Sequence, residues 1–179
     1  VATVSVAAGQ TAYSFSGVSL AAGAHSLTVK VRDLAGNYSA GSSPALSVTV
    51  DTTAPTIAAT SLVANSYMDL NFAPDGVYGS ATASTAVTAS AFSVAFAANG
   101  GTATIACITT TASVACPGTA PSAGDTAVRV FLTVTGTIGG TETVTINSVA
   151  NSIFDSAGNA ASITTGAKTL TVAGVPNIA

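Results

Sequence analysis

Charge is what this chain of 179 residues has least of. Four Lys and Arg and seven Asp and Glu make charged side chains 6% of the total, against about 25% in an average soluble domain. Disorder does not explain the deficit: disordered chains are rich in charge and poor in Val, Ile and Phe, and hydrophobic residues here reach 48%. The basic residues, Lys30, Arg32, Arg129 and Lys168, are too few to track a phosphate backbone. Nucleic acid is therefore not an expected partner. Long apolar runs are missing as well. The longest, AFSVAFAA from Ala91 to Ala98, is less than half the ~18 residues that a membrane-spanning helix needs. Residue 1 does not open a signal peptide, so a secretion signal, if the protein is secreted, has been removed or left out. Trp is absent and aromatics are 6%, which argues against a flat sugar-stacking platform. The one histidine, His25, is expected in a turn before a strand, and no G-x-S-x-G elbow accompanies the many serines. A carboxylate pair for glycoside hydrolysis can be drawn from Asp69, Asp75, Asp125 and Glu142, but any seven acids can be paired so freely. No enzyme is expected.

Two cysteines are present, Cys107 and Cys116, in TIACITTTASVACPG. They fit facing positions on two strands joined by a tight turn at residues 110–113. Such pairing sets Ile108 against Ala115 and Thr109 against Val114, with Thr111-Ala112 as a central pair that two-residue hairpins do not favour. A disulfide would imply an oxidising compartment; the other reading is a pair of thiols in a core. Their spacing, with one histidine in the chain, does not make a zinc site.

What the chain has in abundance is Ser, Thr, Ala, Gly and Val in strand order. SLTVKVR (26–32) alternates Leu27, Val29 and Val31 with Thr28, Lys30 and Arg32. ALSVTVD, YMDLNF, AFSVAF, TAVRVFLTV, ETVTINSV and KTLTVAG repeat the device. Gly recurs every few residues and Thr, Val and Ser dominate, so the expected fold class is all-β, with short strands and frequent turns. Residues 1–50 supply about four strands, TVSVA, AYSFSG, SLTVKVR and ALSVTV; residues 57 to about 174 supply eight or nine. Between them, DTTAPT (51–56) reads as a short stiff link, because Pro55 holds the residue before it extended.

One phrase occurs twice. Asp33-Leu34-Ala35-Gly36-Asn37 returns as Asp155-Ser156-Ala157-Gly158-Asn159. Gly supplies positive φ without steric cost and Asn tolerates the left-handed region, while the Asp can accept hydrogen bonds from the turn's N–H groups. The alternative is that Asp33 and Asp51, or Asp75 and Asp155, supply oxygens to Ca²⁺, which takes six to eight of them. Asn37-Tyr38-Ser39 is also a glycosylation sequon, and the turn accounts for its composition without a glycan.

HSLTVKVRDLAGNYS followed by SVTVDTTAPT resembles the end of a bacterial Ig-like repeat of the kind strung in tandem in large surface adhesins. MDLNFAPDGV answered by IFDSAGNAA resembles a related Ig-like repeat of secreted bacterial proteins. The resemblance implies tandem immunoglobulin-like β-sandwich modules: a partial or strand-complemented one at residues 1–52, a linker at 53–56, a complete one at 57–175 and a tail at 176–179. It implies an extracellular, non-enzymatic surface protein that needs no cofactor beyond the calcium just weighed. Its partners would be neighbouring modules, copies of itself, or host and matrix glycans and proteins. If residue 1 is the mature N-terminus, VATVSVA or KTLTVAGVPNIA could be donated to a neighbour as a strand, giving a filament; if it is a cut in a longer chain, the open first module has no such meaning. A carbohydrate-binding accessory module acting through Tyr67 or Tyr78 is the alternative from a different class.

Overall fold

The computed structural model describes residues 2–7, 9–57, 59–97 and 101–171. The expected tail at 176–179 and any strand beyond Thr171 lie outside the described residues. The fold is all-β, apart from one 3-10 turn at Ala89–Ala91. The chain divides into two compact units, Val1–Thr52 and Thr53–Ala179.

The first unit contains one two-stranded antiparallel sheet, β1 (Gly23–Leu27) with β2 (Leu46–Val50). Four strands were expected here, and two are found among the described residues. TVSVA and AYSFSG form no regular strand, although their alternation is as clear as that of β2. Beyond Leu27 the ladder loses its regularity. The N–H groups of Val29 and Val31 donate to the hydroxyls of Ser42 and Ser39 instead of to carbonyls, and Pro44 on the facing arm has no N–H to offer. The two arms still run together to the Asp33–Asn37 tip, where Arg32 pairs with Tyr38. His25 lies inside β1 opposite Val48 rather than in a preceding turn, with Nε2 at 2.7 Å from the carbonyl of Ala21.

The second unit is a sandwich of two sheets. One holds β3 (Ala59–Val63), β4 (Tyr67–Asn71), β7 (Ala127–Thr135) and β6 (Thr102–Thr109), in the order β3-β4-β7-β6. The other holds β5 (Phe92–Ala97), β8 (Thr143–Ser148) and β9 (Lys168–Thr169), in the order β5-β8-β9. All neighbours are antiparallel. Among the described residues seven strands thus stand where eight or nine were expected. The alternation decides which side chains go inward: Met68 and Leu70 from β4 and Val128, Val130 and Leu132 from β7 meet Phe92, Val144 and Ile146 of the other sheet in one core. Full burial of each such side chain is worth about 1.5–3 kcal/mol. Loop residues Val77, Val87, Ile153, Ala161 and Ile163 close the ends. Pro55 is fully buried in this unit, so the segment after Thr52 is packed and not merely a connection.

The cysteines pair, but not across a hairpin. Cys107 and Cys116 form a disulfide, yet the neighbour of β6 is β7, which sets Cys107 opposite Phe131. A turn does occur where expected, with the N–H of Ser113 donating to the carbonyl of Thr110 at 3.1 Å. After it, residues 114–116 form no strand. Thr111-Ala112 cannot supply the positive φ angles of a tight hairpin, and Pro117 and Gly118 turn the chain away. It becomes a loop over the outer face of the four-stranded sheet, closed by Thr110 N–H on the carbonyl of Thr119 at 2.9 Å.

Candidate functional site

The repeated phrase makes the same turn in both units. In the first, Asp33 Oδ1 accepts the N–H of Asn37 at 2.8 Å and Oδ2 accepts the Asn37 side-chain amide at 3.0 Å. In the second, Asp155 Oδ1 accepts the N–H groups of Ala157 and Asn159 at 2.8 and 2.9 Å, and Oδ2 accepts the Asn159 amide at 2.8 Å. The glycines have φ of 97° and 87°, angles that L side chains rarely adopt. At Gly158 a Cβ would also stand 2.7 Å from the carbonyl oxygen of Ala81.

Their surroundings differ. Asp33 is exposed, whereas Asp155 is 3% exposed, and the Asn159 amide reaches the carbonyl of Thr53 at 3.3 Å. Bonds from the Asn37 side chain and backbone hold the Asp33 carboxyl below its ordinary range. At Asp155 burial pushes the carboxyl up, but the bonds from Asn159, Ala157 and Gly158 together outweigh it and the net direction is down. In both turns the carboxylate charge is taken up by N–H donors of its own loop. The amide of Asn37, the sequon's acceptor atom, is itself engaged with Asp33.

The other two candidate calcium ligands are Asp51 and Asp75. Asp51 directly follows β2, and Asp75 stands in the turn after β4, its N–H on the carbonyl of Phe72. Among the described residues no three His, Cys, Asp or Glu side chains converge as a metal site requires. Three of the four acids considered for catalysis are engaged too: Asp69 by Arg129, Asp125 by the N–H of Ser122, and Glu142 by the N–H groups of Gly139, Gly140 and Thr141 at 2.8–3.2 Å. The Glu142 nest escaped the sequence reading; the Gly-Gly before the acid is its one visible signal.

The outer face of the four-stranded sheet carries a polar cluster. Arg129 forms a two-pronged ion pair with Asp69, Nε to Oδ1 at 2.7 Å and Nη2 to Oδ2 at 2.8 Å. Its third nitrogen, Nη1, donates to the carbonyl of Ser113 at 2.7 Å and so ties down the disulfide loop. The guanidinium lies 3.8 Å above the ring of Tyr67, which tilts against Phe131 at 5.4 Å between centroids. One face of Tyr67 is therefore covered and not offered to a sugar. The sequence reading missed this cluster, and a lone Arg inside the apolar run TAVRVFLTV is the one signal of it.

Two of the unit's edge strands frame an opening. β5 pairs with β8 and β6 with β7, and between them lies a shallow, open cleft of about 320 Å³ whose lining includes Phe92, Val94, Ala103 and Ile105. Neither FSVAFA nor TATIACIT carries a charge.

Among the described residues no helix is long and apolar enough to cross a membrane. No curated protein and no solved structure matches the chain. A family model, that of a bacterial Ig-like domain, matches residues 1–52, fewer than a third of the chain. Its limits coincide with those of the first compact unit, and that unit is thus similar to a bacterial Ig-like module.

Proposed function

We propose that this chain is an extracellular structural and adhesive component of a bacterial surface, whose Ig-like units work by contact with units of other copies and associate into a filament. One observation carries the reading. Among its described residues the first unit buries no side chain, although it is patterned like a sandwich. Val6 is 49% exposed and Leu46 63%, with Val4, Tyr13, Phe15 and Val18 also open. An isolated two-stranded hairpin is marginal in water, and ordering a chain costs roughly 1.5 kcal/mol per residue. Such a unit needs apolar surface from more protein. The disulfide fits an oxidising compartment, and a surface with so few charges lets copies approach without repulsion.

Electron microscopy of the protein from its natural source, without denaturant, tests the proposal. Fibres with an axial repeat near the length of one chain are expected. Separate particles, or a thread made of one much longer polypeptide, would overturn the filament reading.

A further inference from the structure

We infer that the cleft between β5 and β6 is an acceptor site for an extended strand, and that its occupant is residues 2–7 of a second copy, Ala-Thr-Val-Ser-Val-Ala. The inference rests on the assembly reading above and says where the contact is made. Three observations meet here.

The first is the cleft. β5 and β6 are edge strands of opposite sheets, and an edge presents a row of N–H and C=O groups to any strand that comes beside it. Natural proteins guard such edges with Lys, Pro or inward charges. Neither strand has any of these; the one guard is the bulge between Ile105 and Cys107. At the other end of β6, before that bulge, the ladder is regular from Thr102 to Ile105. Between the edges the core is incompletely roofed: Val94, Phe96, Ala103 and Ile105 pack against it but stay partly exposed.

The second is the donor. Residues 2–7 form no regular structure and every one of them is exposed, yet they alternate as a strand does, Val4 and Val6 against Thr3 and Ser5. In an extended chain two such valines stand about 7 Å apart, the same step that separates Ala103 from Ile105 and Phe92 from Val94. A strand laid along β6 would place Val4 and Val6 into the cleft and Thr3 and Ser5 in water. Adding a strand to an open edge obtains affinity from main-chain bonds and specificity from alternate side chains.

The third is orientation. Donor and acceptor belong to different units of the chain, so a copy that donates one way keeps its own acceptor open, and the contact is heterologous and adds further copies unless it closes on itself. A copy of this chain brings valines at the matching step and no charge.

The test uses the full chain bearing Val4→Glu and Val6→Glu, whose own segment cannot dock. It is labelled with nitrogen-15 and titrated with a blocked synthetic peptide of residues 2–7. Saturable shifts confined to amides of residues 92–96 and 102–105 are expected, with binding at least tenfold weaker when Ala103→Lys is added. No shift, or shifts confined to residues 9–50, would overturn the site. Because the peptide reports on the cleft itself, a misfolded Ala103→Lys variant does not decide the matter. Sedimentation of the unaltered chain separates the two readings. If it assembles while Val4→Glu with Val6→Glu assembles equally, the docking site is wrong and the filament stands. If the peptide docks but fibres are absent from the natural source, the filament falls and the site stands.

Discussion

Replacing Asp155 by Ala should cost the second unit about 3 kcal/mol. The carboxylate accepts three N–H donors and is 3% exposed. Hydrogen bonds to a charged group contribute about 1.5–3 kcal/mol each, but these three are not equivalent. Ala157 is exposed, so its N–H regains a partner in water. Asn159 is half-buried, and its backbone and side-chain donors lose their bonds to the carboxylate. Two bonds at the lower figure give the estimate. For a unit of this size that corresponds to a fall in Tm of roughly 10 °C, or of about 1.5 M in the urea midpoint at a slope near 2 kcal/mol/M. Urea unfolding followed by far-UV circular dichroism measures it. Asn159→Ala closes a double-mutant cycle, and a coupling near 1 kcal/mol is expected for partners in direct contact. A loss below about 1 kcal/mol, or additivity within about 0.3–0.5 kcal/mol, would refute the reasoning and make the carboxylate a bystander in its own turn.

Acid should unfold the second unit in a way that depends on two carboxyls. Asp155 and Glu142 both titrate below their ordinary range when folded, the first through its turn despite burial, the second through its own N–H and those of Gly139, Gly140 and Thr141. Their contribution is therefore complete above the unfolded carboxylate values of about 4 and is lost as pH falls through the lower folded ones. Melting between pH 6 and 2 should show it, with a flatter profile for Asp155→Asn. Replacing both Cys107 and Cys116 by Ser should cost about 2.7 kcal/mol on the chain-entropy account of so short a loop, read as a lower urea midpoint. Arg129→Lys should cost about 1–2 kcal/mol, more than an exposed ion pair does, because Lys cannot hold Asp69 two-pronged and reach Ser113 as well; hydrogen exchange at residues 111–119 should quicken in the same variant.

The second unit was largely legible because alternation is a local signal. Val128, Val130 and Leu132 declare one face of β7 within a few residues, and Met68 and Leu70 do the same for β4. Pairing is not local. Nothing within TATIACIT says that it lies beside TAVRVFLTV rather than beside ASVAC, and the cysteine pair, correct in itself, suggested the nearer partner. The first unit shows the same limit from the other side. TVSVA and AYSFSG carry a strand pattern, but a pattern names a face and not a neighbour, and neither finds one there. Of the candidate residues, the two Asp–Asn turns were visible as a repeated phrase with recognisable turn chemistry. Arg129 with Asp69, and the Glu142 nest, depend on residues brought together by the sheet or by a carboxylate folding back on its own loop.

The carboxylate bonds that shape the Asp–Asn turns span four residues or fewer, while the sheets beside them are paired over much longer stretches, as β4 with β7 is. Contacts so close in sequence cost little loop-closure entropy, and small loops close in well under a microsecond, whereas distant strand pairing sets the slow step of β proteins. The phrase is thus a kinetic device as well as a structural one: a ready-made corner that closes before either sheet exists and brings Ile153 and Ala161, whose backbones bond at 2.8 Å, to face one another. φ-values near 1 for Asp155→Ala in refolding would display it, and values near 0 would mean that the corner waits for the sheets. Because the corner carries its own instructions, it can be repeated along a chain whose units differ as much as these two do.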